Sequence, residues 1–136
     1  MAFEGSDGDR LAIRERIEAY SDAVFRRDAD AWIGNWAEGS TWSLPGIEVS
    51  GRDNIKAAWQ AAMASFPLAA LFVQVGSIAV EGDAAAARTY TQEVLTDPNG
   101  AVRRIVGAYD DELVKQDGRW LFRRREYRIL HDTAEG

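Results

Sequence analysis

Two long arms around Asp117-Gly118 constrain this chain more than any other feature. They read AVRRIVGAYDDELVKQ before the pair and RWLFRRREYRILHD after it. Both are rich in β-branched and aromatic residues, and Asp-Gly readily adopts the positive φ of a tight hairpin turn. Each arm is long for a strand, so the hairpin is expected to form the spine of a curved sheet. By alternation, Ile105, Gly107, Tyr109, Asp111 and Leu113 share one face of the first arm. On the second arm Leu121, Arg123, Arg125, Tyr127, Ile129 and His131 oppose Trp120, Phe122, Arg124, Glu126, Arg128 and Leu130. Neither arm has a purely polar face, so helices should cover one side of the sheet and a partner subunit the other. The expected assembly is a homodimer through the outer sheet face, where Trp120, Phe122 and Leu130 stand beside Val106, Ala108 and Val114.

The remainder of the chain supplies those helices. Residues 1–9 read as an acidic, frayed arm ending at a cap, Asp7 or Asp9. From Arg10 to about Arg27, Ile13, Ile17, Tyr20 and Val24 recur at helical spacing. A short second helix is expected from Asp28 or Asp30, carrying Trp32, Ile33 and Trp36 and stopping before Gly39. A small hairpin turns at Pro45-Gly46, and Asp53 is the expected cap of a third helix with Ile55, Trp59, Met63 and Phe66 on one face. Strand-like runs Leu71–Val80 and Ala85–Thr96 follow, and Asp97-Pro98-Asn99-Gly100 turns into the hairpin. The reading is one domain over residues 1–136, of the α+β class, with three N-terminal helices on a curved antiparallel sheet.

Composition removes whole classes of function. Twenty-two acidic residues against 16 basic ones, a net charge of −6, argue against nucleic acid as a partner. The longest apolar run, Phe66–Val73, spans about eight residues, far short of the roughly 20 that a membrane helix needs. The first nine residues have no apolar core or basic flank, so no signal peptide is expected and the cytoplasm is the expected location. There is no cysteine and a single histidine, His131, so neither a thiol nucleophile nor a metal site is expected. No dinucleotide, phosphate-loop, zinc-protease or nucleophile-elbow motif occurs, and no cofactor is expected.

Several pieces together resemble a known family. They are Tyr20-Ser21-Asp22, Asp28-Ala29-Asp30-Ala31-Trp32, Trp42 with Gly46, Gly51-Arg52-Asp53, Glu81-Gly82-Asp83, Tyr109-Asp110-Asp111-Glu112-Leu113 and Asp117-Gly118-Arg119-Trp120. In that order they resemble the nuclear transport factor 2-like superfamily, in its SnoaL-like branch, which includes scytalone dehydratase and hexachlorocyclohexane dehydrochlorinase. The resemblance implies a conical barrel with a deep internal pocket between helices and concave sheet, commonly in a dimer. It also implies a cofactor-independent lyase or isomerase, dehydratase-like or cyclase-like, acting on a hydrophobic cyclic substrate.

Enzymes of that branch pair an aspartate near the end of the first helix with a histidine on the strand after the third. Here the histidine position falls on Leu71, or on Gln74 with a slip of three, and neither can act as a base. The aspartate falls on Asp28 by one count and on Phe25 by another, and Asp28 also reads as a plain helix cap. Arg125 matches a pocket arginine of the branch, with Asp111 as its candidate partner; it also reads as one rung of a solvated ladder with Arg123, Arg124, Arg128, Glu112 and Glu126, the reading favoured for Arg124 and Arg128. The candidate catalytic residues are therefore Asp28, Arg125 and Tyr20. The candidate substrate-binding residues are Trp42, Trp59, Phe72, Tyr90, Tyr109 and Tyr127, around a small hydrophobic or anionic molecule. Thr89, Thr91, Gln92 and Glu93 make the strand 85–96 unusually polar, and either parity could face inward. Without the histidine, a non-catalytic ligand-binding or accessory subunit of the same fold is the alternative.

Overall fold

A computed structural model describes residues 2–135; Met1 of the expected N-terminal arm and Gly136 lie outside them. The arm is not frayed. Phe3–Glu4 forms a short strand, β1, parallel to a later strand, and the Ala2 carbonyl accepts from the Ile78 N–H at 2.9 Å. Helix α1 (Asp7–Arg26) is capped by Ser6, whose side chain accepts from the Asp9 N–H, rather than by either aspartate. Asp7 and Asp9 fall in the first turn, where a negative charge favours the helix dipole. The helix buries Ile13, Ile17, Tyr20 and Val24, the stripe read from the sequence.

Helix α2 (Ala29–Ile33) starts at its Asp28 cap and is shorter than expected: Trp36 opens strand β2 (Trp36–Leu44) instead of closing the helix. Asn35 causes the break. Its side-chain amide donates to the Trp32 carbonyl at 3.1 Å, closing the helix end, while its own carbonyl accepts from the Phe122 N–H at 2.9 Å. Strand β3 (Ile47–Ser50) completes the small hairpin. Helix α3 (Arg52–Met63) begins at Gly51, not at Asp53, which sits in its first turn; it buries Ile55, Trp59 and Met63.

Four long strands follow: β4 (Leu68–Glu81), β5 (Ala84–Thr96), β6 (Val102–Gln116) and β7 (Arg119–Asp132), ending in a 3-10 turn, Thr133–Glu135. Asp117 and Gly118 both have positive φ, 51° and 75°, the pair of values that the two-residue turn between β6 and β7 requires. The strand order is β1-β4-β5-β6-β7-β2-β3. Two expectations are corrected here. The sheet is mixed, because β1 pairs with β4 and β2 with β7 in parallel. It is also open, with β1 and β3 as its edges, so the concave surface is a trough closed by helices rather than a barrel.

Two bulges in β7 overturn the simple alternation read on that arm. Leu113 pairs with Phe122 but Glu112 with Arg124, leaving Arg123 extra; Gly107 pairs with Ile129 but Val106 with His131, leaving Leu130 extra. The inward residues of β7 are therefore Trp120 and Phe122, then Arg125 and Tyr127, then Asp132. Trp120 and Phe122 are 2% and 0% exposed and belong to the core, not to an outer contact face. The core centres on stacked Trp32 and Trp59, 4.8 Å apart, with Trp36, Trp42, Tyr20 and Phe122 packed around them. Each large apolar side chain buried there contributes on the order of 2 kcal/mol. Helix α1 is fastened to the sheet by polar contacts as well. The Ser21 hydroxyl donates to the Leu71 carbonyl, and Arg16 donates to the Trp120 carbonyl and to Asn35 Oδ1, both at 2.7 Å.

Candidate functional site

Between the helices and the concave sheet lies a cavity of about 190 Å³. Its walls are apolar: Val24 from α1, Trp59, Ala62 and Met63 from α3, Leu71 from β4 and Leu95 from β5 are among the lining residues. Four titratable side chains interrupt them, Tyr20, Tyr109, Tyr127 and Glu93. Strand β5 settles its own parity: Thr89, Thr91, Glu93 and Leu95 point inward, whereas Tyr90 and Gln92 face out.

Glu93 is the one carboxylate in the lining. Burial pushes its pKa above the usual carboxylate value; the Tyr127 hydrogen bond and the Arg103 guanidinium act against that, and the Asp132 charge adds to it. The Tyr127 hydroxyl donates to Glu93 Oε1 at 3.4 Å. Burial likewise raises the Tyr127 phenol, and Glu93 and Tyr109 reinforce the shift. Tyr109 accepts from the Trp42 indole N–H at 3.3 Å, and Tyr20 lines the cavity with it. A phenol oxygen that accepts from an indole N–H keeps its own proton free to donate. Burial raises the pKa of both Tyr20 and Tyr109, so both remain protonated donors at neutral pH. At the outer end of the same strands, Asp132 accepts two hydrogen bonds from Arg103, at 3.0 and 2.6 Å. That pairing, with the Ala134 N–H, holds the Asp132 pKa down to about 2.

The expected arginine is elsewhere. Arg125 is 1% exposed and absent from the cavity lining. It grips Asp111 at 2.7 and 3.1 Å and donates to Thr89 Oγ1 at 3.1 Å. The rings of Tyr109, Phe122 and Tyr20 cover its guanidinium at 3.8, 4.3 and 4.5 Å. Burial is the largest influence and works against its charge, but Asp111, Tyr20 and Tyr109 together outweigh it and the pKa is raised. The pairing with Asp111 read from the sequence is there; the opening toward a ligand is not.

A model of the SnoaL-like domain matches residues 8–126. The chain belongs to the SnoaL-like domain family. No curated protein matches it. Among solved structures, this SnoaL-like chain is similar to a candidate scytalone dehydratase of Novosphingobium aromaticivorans, 23% identical, with a TM-score of 0.85 over 92% of this chain and 86% of that one. A candidate dehydratase of the nuclear transport factor 2-like family from Streptomyces avermitilis is 16% identical, with a TM-score of 0.84 over 93% and 99%. A type 2 hexachlorocyclohexane dehydrochlorinase is 19% identical, with a TM-score of 0.79 over 94% and 92%. At such identities the likeness shows the fold.

Of the candidate residues, the SnoaL-like fold brings Tyr20, Trp42, Trp59, Tyr109 and Tyr127 to the cavity. Three others are corrected. Asp28 caps α2, accepting from the Ala31 N–H at 3.0 Å, and pairs with Arg26; it does not line the cavity. Phe72 is 55% exposed, one residue past the inward Leu71, and rests edge-on against exposed Phe25. Tyr90 sits on the outer parity of β5, so its ring cannot reach the concave side. Glu93 is the residue that sequence reasoning left undecided. Among the described residues no three His, Asp or Glu side chains come together as a metal site, and no helix is long and apolar enough to cross a membrane.

Proposed function

We propose that the cavity is an acid–base site for a cofactor-independent lyase or isomerase, acting on a neutral, hydrophobic, cyclic carbonyl compound. The observation that carries this is Glu93: a carboxylate in an apolar wall, its pKa raised by burial, in contact with the Tyr127 phenol and sharing the cavity with those of Tyr20 and Tyr109. A base so tuned is suited to proton transfer at working pH. In the reaction, the Glu93 carboxylate takes a proton from the carbon next to the substrate carbonyl. The electron pair moves onto the carbonyl oxygen, which the Tyr109 hydroxyl stabilises by hydrogen bonding, with Tyr20 in the same wall. The Glu93 carboxylic acid then gives its proton to another carbon, completing an isomerisation, or to a departing β-hydroxyl, releasing water. The apolar walls exclude solvent, and with no cationic side chain in the lining a neutral ligand suits the cavity better than an anionic one.

The test is a thermal-shift screen of cyclic ketones and β-hydroxyketones, in which a ligand at 100 times its Kd adds about 2.7 kcal/mol of apparent stability. Hydrogen–deuterium exchange at the α-carbon of the hits follows. Exchange that depends on Glu93 supports the reading; tight binding with no exchange supports a ligand-binding or accessory subunit, which the apolar Leu71 at the family's base position favours.

We also propose that the protein pairs with a second copy through the outer sheet face, where Phe72, Tyr90 and Val106 border one shallow groove and Leu130 stands 55% exposed nearby. Sedimentation should show a dimer at micromolar concentration that Tyr90→Asp disperses.

A further inference from the structure

Gly107 lies in the interior of a 15-residue strand, where glycine weakens pairing and leaves nothing to pack. Its φ is not positive, unlike those of seven other glycines, so conformational freedom does not explain it. Space does. A Cβ built on Gly107 would stand 2.4 Å from both Cε1 and the hydroxyl oxygen of Tyr127, and 2.5 Å from Cζ. Tyr127 belongs to β7, next to β6, yet its hydroxyl reaches Glu93 on β5, the strand beyond. To span that distance the ring must lie flat across β6, and Gly107 is where it lies. The Tyr109 ring packs against it, 4.7 Å away by centroids.

We propose that Gly107 is a positioning residue, the seat that carries the Tyr127 ring across β6 and delivers its phenol to Glu93. This rests on the reading of Glu93 as the acid–base group and explains how its state is set. Any side chain at position 107 lifts the ring, withdraws the phenol from the carboxylate and moves ring atoms into the cavity. The residue acts through Tyr127 and need touch no substrate itself.

The test reads the unliganded protein, so it is decided whether or not any substrate is turned over. The carboxyl of Glu93 is followed by infrared or carbon-13 titration in the wild type, Gly107→Ala, Tyr127→Phe, Tyr127→Ala and the double variant Gly107→Ala/Tyr127→Ala. A hydrogen bond to the charged form lowers a carboxyl pKa, so losing it in Gly107→Ala should raise the midpoint, on the order of one pH unit, as in Tyr127→Phe. In the Tyr127→Ala background the added methyl should leave both the midpoint and Tm unchanged, because the clash is gone and alanine fits the strand at least as well as glycine. If Gly107→Ala alone does not fold, a folded double variant supports the proposal and an unfolded one overturns it. An unmoved Glu93 midpoint in a folded Gly107→Ala, or an equal loss of Tm in both backgrounds, also overturns it. A normal Glu93 response in a protein that catalyses nothing would refute the proposed reaction and leave the role of Gly107 standing.

Discussion

The concave face of β5, β6 and β7 holds two charged clusters, one buried and one half-buried, and they are built on opposite terms. Around Arg125 the pairing is dense: Asp111 accepts two hydrogen bonds from the guanidinium and a third from Thr89, Thr89 itself accepts from Arg125, and three aromatic rings cover the guanidinium. Around Glu93, the side chain is only partly buried and the pairing is partial, one long hydrogen bond at 3.4 Å with a cavity alongside. A densely paired charge is held in one protonation state and contributes architecture; a partly paired one is left with a shifted pKa and acceptor lone pairs for a ligand. The same strands thus carry a structural pin and a reactive group a few residues apart.

Breaking the sealed cluster should give the largest effect on folding. Arg125→Met leaves Asp111 buried and uncompensated, which costs about 3–5 kcal/mol and should appear as a large drop in Tm. Adding Asp111→Asn should recover much of it. Ligand affinity, measured where both proteins are folded, should stay within a few-fold of wild type, since the guanidinium does not reach the cavity. Loss of affinity without loss of stability would put Arg125 in the site after all.

Breaking the half-paired cluster should do the reverse. Glu93→Gln should reduce turnover of any substrate by about 10²–10⁴-fold, the range of a removed acid–base group, while Tm holds or rises. The sign follows from linkage. A carboxyl whose folded pKa is raised contributes stability fully present below its ordinary 4.5 and lost as pH rises through the folded value. The Tm of the wild type relative to Glu93→Gln should therefore fall as pH climbs from acid toward neutrality. A gap that is flat across that range would mean Glu93 is solvated.

The difference between the two clusters also marks what the sequence could show. Helical spacing placed the buried stripes of α1 and α3, and Asp117-Gly118 placed the hairpin tip, because each is a local pattern with one physical solution. The pairing of Arg125 with Asp111 was legible from cross-strand neighbours, but which side of β7 faced inward was not: each bulge adds one residue and leaves no compositional trace. Strand β5 hid Glu93 for another reason. Ala84–Ala87 are small on both faces, so no amphipathic signal fixed the parity of the polar stretch that follows. Asn35, which ends α2, reads as ordinary polar sequence until its partners on β7 are known. A signal for the Tyr127 seat was present in Gly107, a glycine where a strand former was expected.

The rim offers a smaller, pH-dependent contrast. Asp132 is held down to about 2 by Arg103, so its contribution is fully present above its ordinary 3.8 and is lost as pH falls through about 2. Acid unfolding followed by circular dichroism should therefore lose part of its steepness between those values in Asp132→Asn. An acid limb identical to wild type would show the pair to be solvated.

The smallest effect belongs to Asp28, and it separates a cap from a catalytic base. Its carboxylate accepts from the Ala31 N–H at 3.0 Å and stands 3.5 Å from the Arg26 guanidinium, with over a third of the side chain in solvent. Asparagine caps a helix as well as aspartate does, so Asp28→Asn should change stability by no more than a few tenths of a kcal/mol. Alanine cannot accept that hydrogen bond, and Asp28→Ala should cost about 1 kcal/mol. Neither should alter the α-carbon exchange rate of a bound ketone, because the carboxylate does not line the cavity. A base would give the opposite pattern, with Asp28→Asn abolishing exchange while leaving Tm alone. Measuring Tm and exchange on the same two variants distinguishes the roles, since one follows hydrogen-bond acceptance and the other follows charge.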